Sequence, residues 1–169
     1  IAEFILCQMD KFKVSVYNEN TGKGLVRHII TKVGIYTNEI MVIIVINGKE
    51  MPNELTLANN IMDKFSEVRT VVKSINTKNT NVIMGDKNEA IVGRGYITDR
   101  LGDFVFKISP MSFYQVNPIQ AEALYNLALE KANITKKDVV CDLYCGVGTI
   151  GIFASKYAKQ VYGIEIVKQ

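Results

Sequence analysis

Two carboxylates and a pair of glycines near the end of the chain are the residues best suited to chemistry. Asp142-Leu-Tyr-Cys-Gly146-Val-Gly148-Thr149 closes the apolar run Val139-Val-Cys-Asp-Leu143 and opens a helix-like segment. Glycines at a strand-to-helix turn let the backbone approach a ligand closely, and a helix start offers unpaired N–H groups. Glu165 follows the next apolar run, where an acid can accept hydrogen bonds from both hydroxyls of a ribose.

Three readings fit this pattern. Gly146-x-Gly148-x-x-Gly151 matches a dinucleotide fingerprint literally, with Glu165 near the expected offset. Asp142 favours a second ligand, S-adenosylmethionine (SAM). A carboxylate just before the loop repels a pyrophosphate but attracts the sulfonium and ammonium of SAM. The third reading is a tight turn with no ligand.

The elements around the motif follow from periodicity. Val139 to Leu143 reads as a buried parallel strand, followed by the glycine loop, a helix to about Lys159 and a strand from Val161 to Ile164. That order opens a doubly wound α/β sheet. Upstream, Asn117 and Pro118 are good first residues for a long helix with Ile119, Ala123, Leu124, Leu127, Ala128 and Ala132 as its apolar stripe.

Residues 1–107 read as a separate α+β region, with 108–169 as the first part of the ligand-binding domain. Residues 1–17 have helical spacing, and Asn18 to Gly24 form a turn. Leu25–Val33 and Ile40–Ile46 read as strands, the second apolar on both faces and so central. A helix is expected from Pro52 to about Phe65, with Leu55, Ala58, Met62 and Phe65 facing inward. Val68–Ile75, Asn81–Met84, Ala90–Ile97 and Phe104–Ile108 read as further, mostly antiparallel strands.

Composition narrows the class. Hydrophobic residues make up 48% of 169, enough for a real core, and no apolar run is long enough to span a bilayer as a helix. The net charge of +3 favours an anionic partner only mildly. Cys7, Cys141 and Cys145 form no C-x-x-C pair, which argues against a disulfide framework or zinc site and suits a reducing cytoplasm. Lys23, Arg27, Lys32, Lys73, Lys78, Arg94 and Arg100 are scattered; they read as solvated surface with phosphate contact as the rival role, and His28 as an ordinary strand residue. The chain begins at Ile1 and ends after two strands of the expected sheet, so it is expected to be a fragment whose open edge pairs with a second copy, the favoured outcome, frays beyond about Asp138, or leaves the chain marginally soluble.

A second motif, Phe113-Tyr-Gln115-Val-Asn117-Pro118, precedes the long helix. With the D-x-Y-C-G-x-G-T-I loop and Val161-Tyr-Gly-Ile-Glu165, it resembles the SAM-dependent RNA (uracil-5-)-methyltransferases. Gly24-Leu-Val-Arg-His28, Asn76-x-Lys78-x-Thr80-Asn81 and Ile108-Ser-Pro110-x-Ser112-Phe113 extend the resemblance over nearly the whole chain.

The resemblance implies methylation of C5 of uridine in RNA, ribosomal RNA ahead of transfer RNA, with SAM as cofactor. It implies that Gln115 lines the cofactor pocket, Tyr144 contacts SAM and Glu165 holds the ribose, while Asp142, Gly146 and Gly148 shape the methionine end. In this family a cysteine attacks C6 of uracil, but that cysteine and the general base belong to later motifs. Cys145 matches the loop cysteine instead, so no catalytic residue and no metal ligand is expected in these residues. The alternatives are a fragment of a dinucleotide-dependent oxidoreductase and a non-catalytic RNA-binding module.

Overall fold

A computed structural model of the chain describes residues 1–166. The chain divides into two compact units, Ile1–Ile97 and the residues from Thr98 onward. The division falls before the expected 107/108 boundary because the hairpin of β5 (Ile97–Leu101) and β6 (Phe104–Ile108) shares a core with the later helices.

The first unit holds α1 (Ala2–Lys11), β1 (Val26–Gly34), β2 (Glu39–Ile46), α2 (Glu54–Lys64), β3 (Val68–Ile75) and β4 (Lys87–Gly93). Its sheet has the order β1-β2-β3-β4. β1/β2 and β3/β4 are antiparallel, whereas β2/β3 is parallel, with Val42 opposite Val71 and Ile46 opposite Ile75. The mostly antiparallel pairing expected from the spacing thus holds, and the one parallel pair arises because α2 carries the chain back across the sheet. Met41 to Ile46 are fully buried on both faces, as expected of a central strand. Val42, Ile44 and Ile46 pack with Ile5 and Met9 of α1 and with Leu57, Ala58 and Ile61 of α2.

Three local expectations are corrected. α1 stops at Lys11, because Lys13 has a φ of 55° and turns the chain toward a bridge between Val16 and Val26. α2 buries Leu57, Ala58 and Ile61, with Met62 and Phe65 of the expected stripe packed against the same core, and exposes Leu55. Asn81–Met84 is not a strand: the buried Asn76 side chain donates to the carbonyls of Val82 and Ile83, at 2.6 and 3.0 Å, and so takes acceptors a ladder would use.

The second unit adds α3 (Pro118–Ala132), β7 (Val139–Leu143), α4 (Thr149–Ser155) and β8 (Gln160–Ile164). Asn117 accepts the Gln120 N–H as the helix cap, with Pro118 at the first helical position. The core joins Leu101 and Phe106 to Ala121, Tyr125 and Leu129 of α3 and to Phe153 and Ala154 of α4. α3 therefore turns Ala121, Tyr125 and Leu129 inward and leaves Ile119, Leu124 and Leu127 of the expected stripe exposed. The contact that decides this is Tyr125, which lies edge-on to Phe153 at 5.6 Å and bonds through its hydroxyl to Thr149.

β7 and β8 are parallel, with Val139 opposite Gln160 and Leu143 opposite Ile164. They form a two-stranded sheet among the described residues, so β7 is parallel as expected but not buried: Val139, Cys141 and Leu143 are exposed. α4 ends at Ser155, short of the expected Lys159. Among the described residues no helix is long and apolar enough to cross a membrane, and no group of three His, Cys, Asp or Glu side chains is placed to hold a metal.

Candidate functional site: the glycine loop between β7 and α4

The parallel pairing of β7 and β8 brings the two carboxylates to the same end of the sheet. Asp142 is the fourth residue of β7 and Glu165 immediately follows β8. Between them runs the loop Tyr144–Gly148, tied to the sheet by the Cys145 N–H bonding to the Ile164 carbonyl at 3.0 Å. Tyr144, Gly146 and Gly148 have φ values of 60°, 57° and 81°. Glycine reaches this left-handed region without strain, whereas Tyr144 pays for it, as held non-glycine residues at ligand sites do.

Each carboxylate is held by a backbone N–H. Glu165 Oε2 accepts from Gly146 at 2.9 Å, and Asp142 Oδ2 accepts from Gly151 at 2.8 Å. Gly151 is the third residue of α4, so Asp142 caps that helix from the neighbouring strand. A side chain at position 151 would come within 2.9 Å of Asp142 Oδ2, and one at Gly163 within 3.0 Å of Cys145 Sγ. Both glycines therefore shape the site, although the motif reading assigns them no ligand contact. The signal for Gly151 was its place as the third glycine of the run.

Cys145 is half-buried under the loop. Burial pushes its thiol above the ordinary range, and the charges of Asp142 and Glu165 push it further. A raised thiol is the less reactive one, since reactivity needs the thiolate.

Two concavities flank the loop. One, of 270 Å³, is lined by Asp142, Cys145, Gly148, Gly151 and Gly163 with aliphatic neighbours on α4 and β8. The other, of 340 Å³, lies between Gly146 and Val147 on one side and Val105, Lys107, Ser109 and Ser112 on the other. Asp142, Gly146, Gly148 and Glu165 are thus gathered at one loop. Tyr144 is 89% exposed and stands out into solvent, and Gln115 is half-buried in the irregular segment before α3.

The donor set fits a cationic, ribose-bearing ligand. Two carboxylates at one loop attract a sulfonium and an ammonium, and a fixed acid at the end of β8 suits ribose hydroxyls. The set does not fit a pyrophosphate: the Gly151 N–H, which a phosphate at this helix start would use, is already taken by a carboxylate.

Comparison with known proteins gives the family. The family model described as tRNA (Uracil-5-)-methyltransferase matches residues 3–169. An uncharacterized RNA methyltransferase of Caldanaerobacter subterraneus subsp. tengcongensis is 47% identical over 161 residues, 95% of this chain and 36% of the relative. One of Oceanobacillus iheyensis is 43% identical over 161 residues, 95% of this chain and 35% of the relative. The chain therefore spans about a third of the length of the curated relatives it matches. Among solved structures, Pyrococcus abyssi tRNA (uracil-54, C5)-methyltransferase in complex with S-adenosyl-L-homocysteine is similar with a TM-score of 0.76 and 27% identity, over 96% of this chain and 38% of that one.

Proposed function

The chain belongs to the tRNA (uracil-5-)-methyltransferase family, and from that premise we propose that it supplies the SAM-binding start of an enzyme that methylates C5 of uridine in RNA. SAM, when bound, supplies an electrophilic methyl group on a sulfonium. Glu165, oriented by the Gly146 N–H, accepts hydrogen bonds from the ribose. Asp142 and the open backbone at Gly146 and Gly148 receive the methionine end; Tyr144, which stands in solvent, and Gln115 are the further contacts that the family resemblance implies. Gly146 has no atom within 4 Å of where a Cβ would stand, which leaves that face of the loop to the ligand.

The observation that carries this reading is the pair of carboxylates bonded to loop and helix N–H groups. It favours a cation over the pyrophosphate of a dinucleotide, and so SAM over an oxidoreductase cofactor. Cys145 matches the loop cysteine of the family rather than its nucleophile, and burial, with Asp142 and Glu165, raises its thiol above the ordinary range. That nucleophile belongs to the longer protein, outside these residues. Ribosomal RNA is the substrate class we favour over transfer RNA, and parallel assays on both transcripts separate them. The free thiols of Cys7, Cys141 and Cys145 suit a reducing cytoplasm.

The test is Glu165→Ala in the full-length protein carrying this chain. Losing hydrogen bonds to a charged acceptor costs about 1.5–3 kcal/mol, so calorimetry should read SAM affinity roughly ten- to a hundredfold weaker. Unchanged affinity would remove the ribose assignment.

A further inference from the structure

The loop from Asn76 to Asp86, between β3 and β4, is irregular yet held by buried polar groups. Asn76 is 3% exposed; besides donating to Val82 and Ile83, it accepts the Lys78 N–H at 3.2 Å. The Arg27 side chain, also 3% exposed, donates to the carbonyls of Asn76 and Lys78 at 3.3 and 2.8 Å and stacks on Tyr17 at 4.6 Å. At the far end the Gly85 N–H bonds to the buried Ser74 hydroxyl, and a Cβ on Gly85 would lie 1.7 Å from the Ile75 carbonyl oxygen. Fixing an exposed loop in this way lowers the ordering cost of whatever binds it.

The outer surface of this loop is Thr77-Lys78-Asn79-Thr80-Asn81, five consecutive exposed residues that all carry hydrogen-bonding side chains. Beside it lies a cavity of 450 Å³ with Lys78, Lys87, Thr77 and Thr80 among its polar lining and Ile75, Val82 and Met84 among its apolar lining. Lysine, threonine and asparagine are the side chains that hold phosphate and sugar oxygens, and an apolar patch beside them accepts an unstacked base.

Building on the function proposed above, we propose that this loop and cavity are a contact site for a single-stranded segment of the RNA substrate. Lys78 and Lys87 meet the phosphates, and one unstacked nucleoside enters the cavity. In the unbound protein Lys78 is paired with Asp86 and Lys87 with Glu89, each at 2.5 Å. Exposed pairs of this kind are weak, so a phosphate displaces the carboxylates readily. Asp86 then acts as a competitor for the RNA.

That last point gives a test with opposite signs. In the full-length protein, binding of fluorescein-labelled, unmodified ribosomal and transfer RNA transcripts is measured against salt, with SAM affinity and thermal midpoint as controls. Thr77→Ala combined with Lys78→Ala should weaken RNA about tenfold and lower the salt slope by about 0.7, the share of one single-strand phosphate contact. Asp86→Asn should tighten it. Both variants should bind SAM as the unaltered protein does. If both weaken RNA alike, the Lys78–Asp86 pair is only structural and the proposal falls; it falls equally if neither changes affinity or slope. Absence of SAM binding in the unaltered protein would strike the proposed function instead, and the RNA titrations would still decide the loop.

Discussion

The segments β2–α2–β3 and β7–α4–β8 share one design, two parallel strands joined by a helix, and differ in what surrounds their charges. In the first, Glu54 at the start of α2 reaches Lys73 on β3, bonding it at 2.9 and 3.0 Å, and Glu89 on β4 adds a third charge at 3.6 Å. Burial works to push the Lys73 ammonium down, but Glu54 and then Glu89 outweigh it and hold the group above its usual value. In the second, Asp142 and Glu165 meet backbone N–H groups. In the first segment Lys73 meets both glutamates, Lys87 pairs Glu89 as well, and β1 and β4 flank the strands; in the second the two carboxylates sit at a loop whose backbone is open at Gly146. The same topology buries an ammonium between carboxylates in the first segment and, on the function proposed above, offers carboxylates to a cationic ligand in the second.

The comparison breaks most visibly at Lys73, whose side chain is 7% exposed. Lys73→Met should cost about 3 kcal/mol, the low end for breaking a buried pair, because both glutamates keep some access to water. Denaturant unfolding reads this, and Glu54→Gln in the same chain should restore part of it. The pH sign follows from the raised pKa: the stabilisation is whole below the ordinary lysine value and is lost as pH rises through the higher native value. An unfolding midpoint unmoved by Lys73→Met would mean that the charge cluster is incidental to the first segment.

A smaller effect is expected at Asp142, where two roles can be separated. Asp142→Asn keeps an oxygen for the Gly151 N–H but removes the charge, so stability should hold while calorimetry reads SAM about tenfold weaker. Asp142→Ala should in addition lose about 1 kcal/mol of cap stabilisation. Equal SAM affinity in all three proteins would return Asp142 to a purely structural part.

The smallest effect concerns Cys145. With its thiol raised, iodoacetamide at mildly alkaline pH should label the exposed Cys7 and Cys141 several-fold faster than Cys145. Replacing Asp142 and Glu165 together by their amides should quicken labelling of Cys145. Mass spectrometry of the labelled peptides is the readout; a rate indifferent to the two amides would deny that the two carboxylates raise the thiol.

How far these features can be read from the sequence depends on whether one residue type has one explanation. Ile40–Ile46 could only be a central strand, because seven consecutive apolar residues leave no face for water. Asn117-Pro118 marked the start of α3 for similar reasons. The stripe of α3 was not legible: Ile119, Leu124 and Leu127 compete with Ala121, Tyr125 and Leu129, and packing against Phe153 makes the choice. Val82-Ile-Met84 has strand composition, yet an asparagine six residues before Val82 takes its carbonyl. At the site, the spacing of Asp142, Gly146, Gly148 and Glu165 carried over because a parallel strand pair brings strand ends together wherever it forms. The capping bond from Gly151 and the fit of Gly163 against Cys145 depend on distances between elements, which spacing along the chain does not encode.

The bonds that hold the Asn76–Asp86 loop have a consequence for how such a protein changes over time. Arg27 and Asn76 bond to the carbonyls of Asn76, Lys78, Val82 and Ile83, groups that every residue type possesses. The path of the backbone is therefore uncoupled from the identities of Thr77, Asn79 and Asn81, whose side chains face outward. Substitutions there alter what the loop offers a partner without touching the bonds that hold its shape. Arg27, Asn76 and Gly85 carry the opposite burden, since a change at any of them deforms the whole display at once.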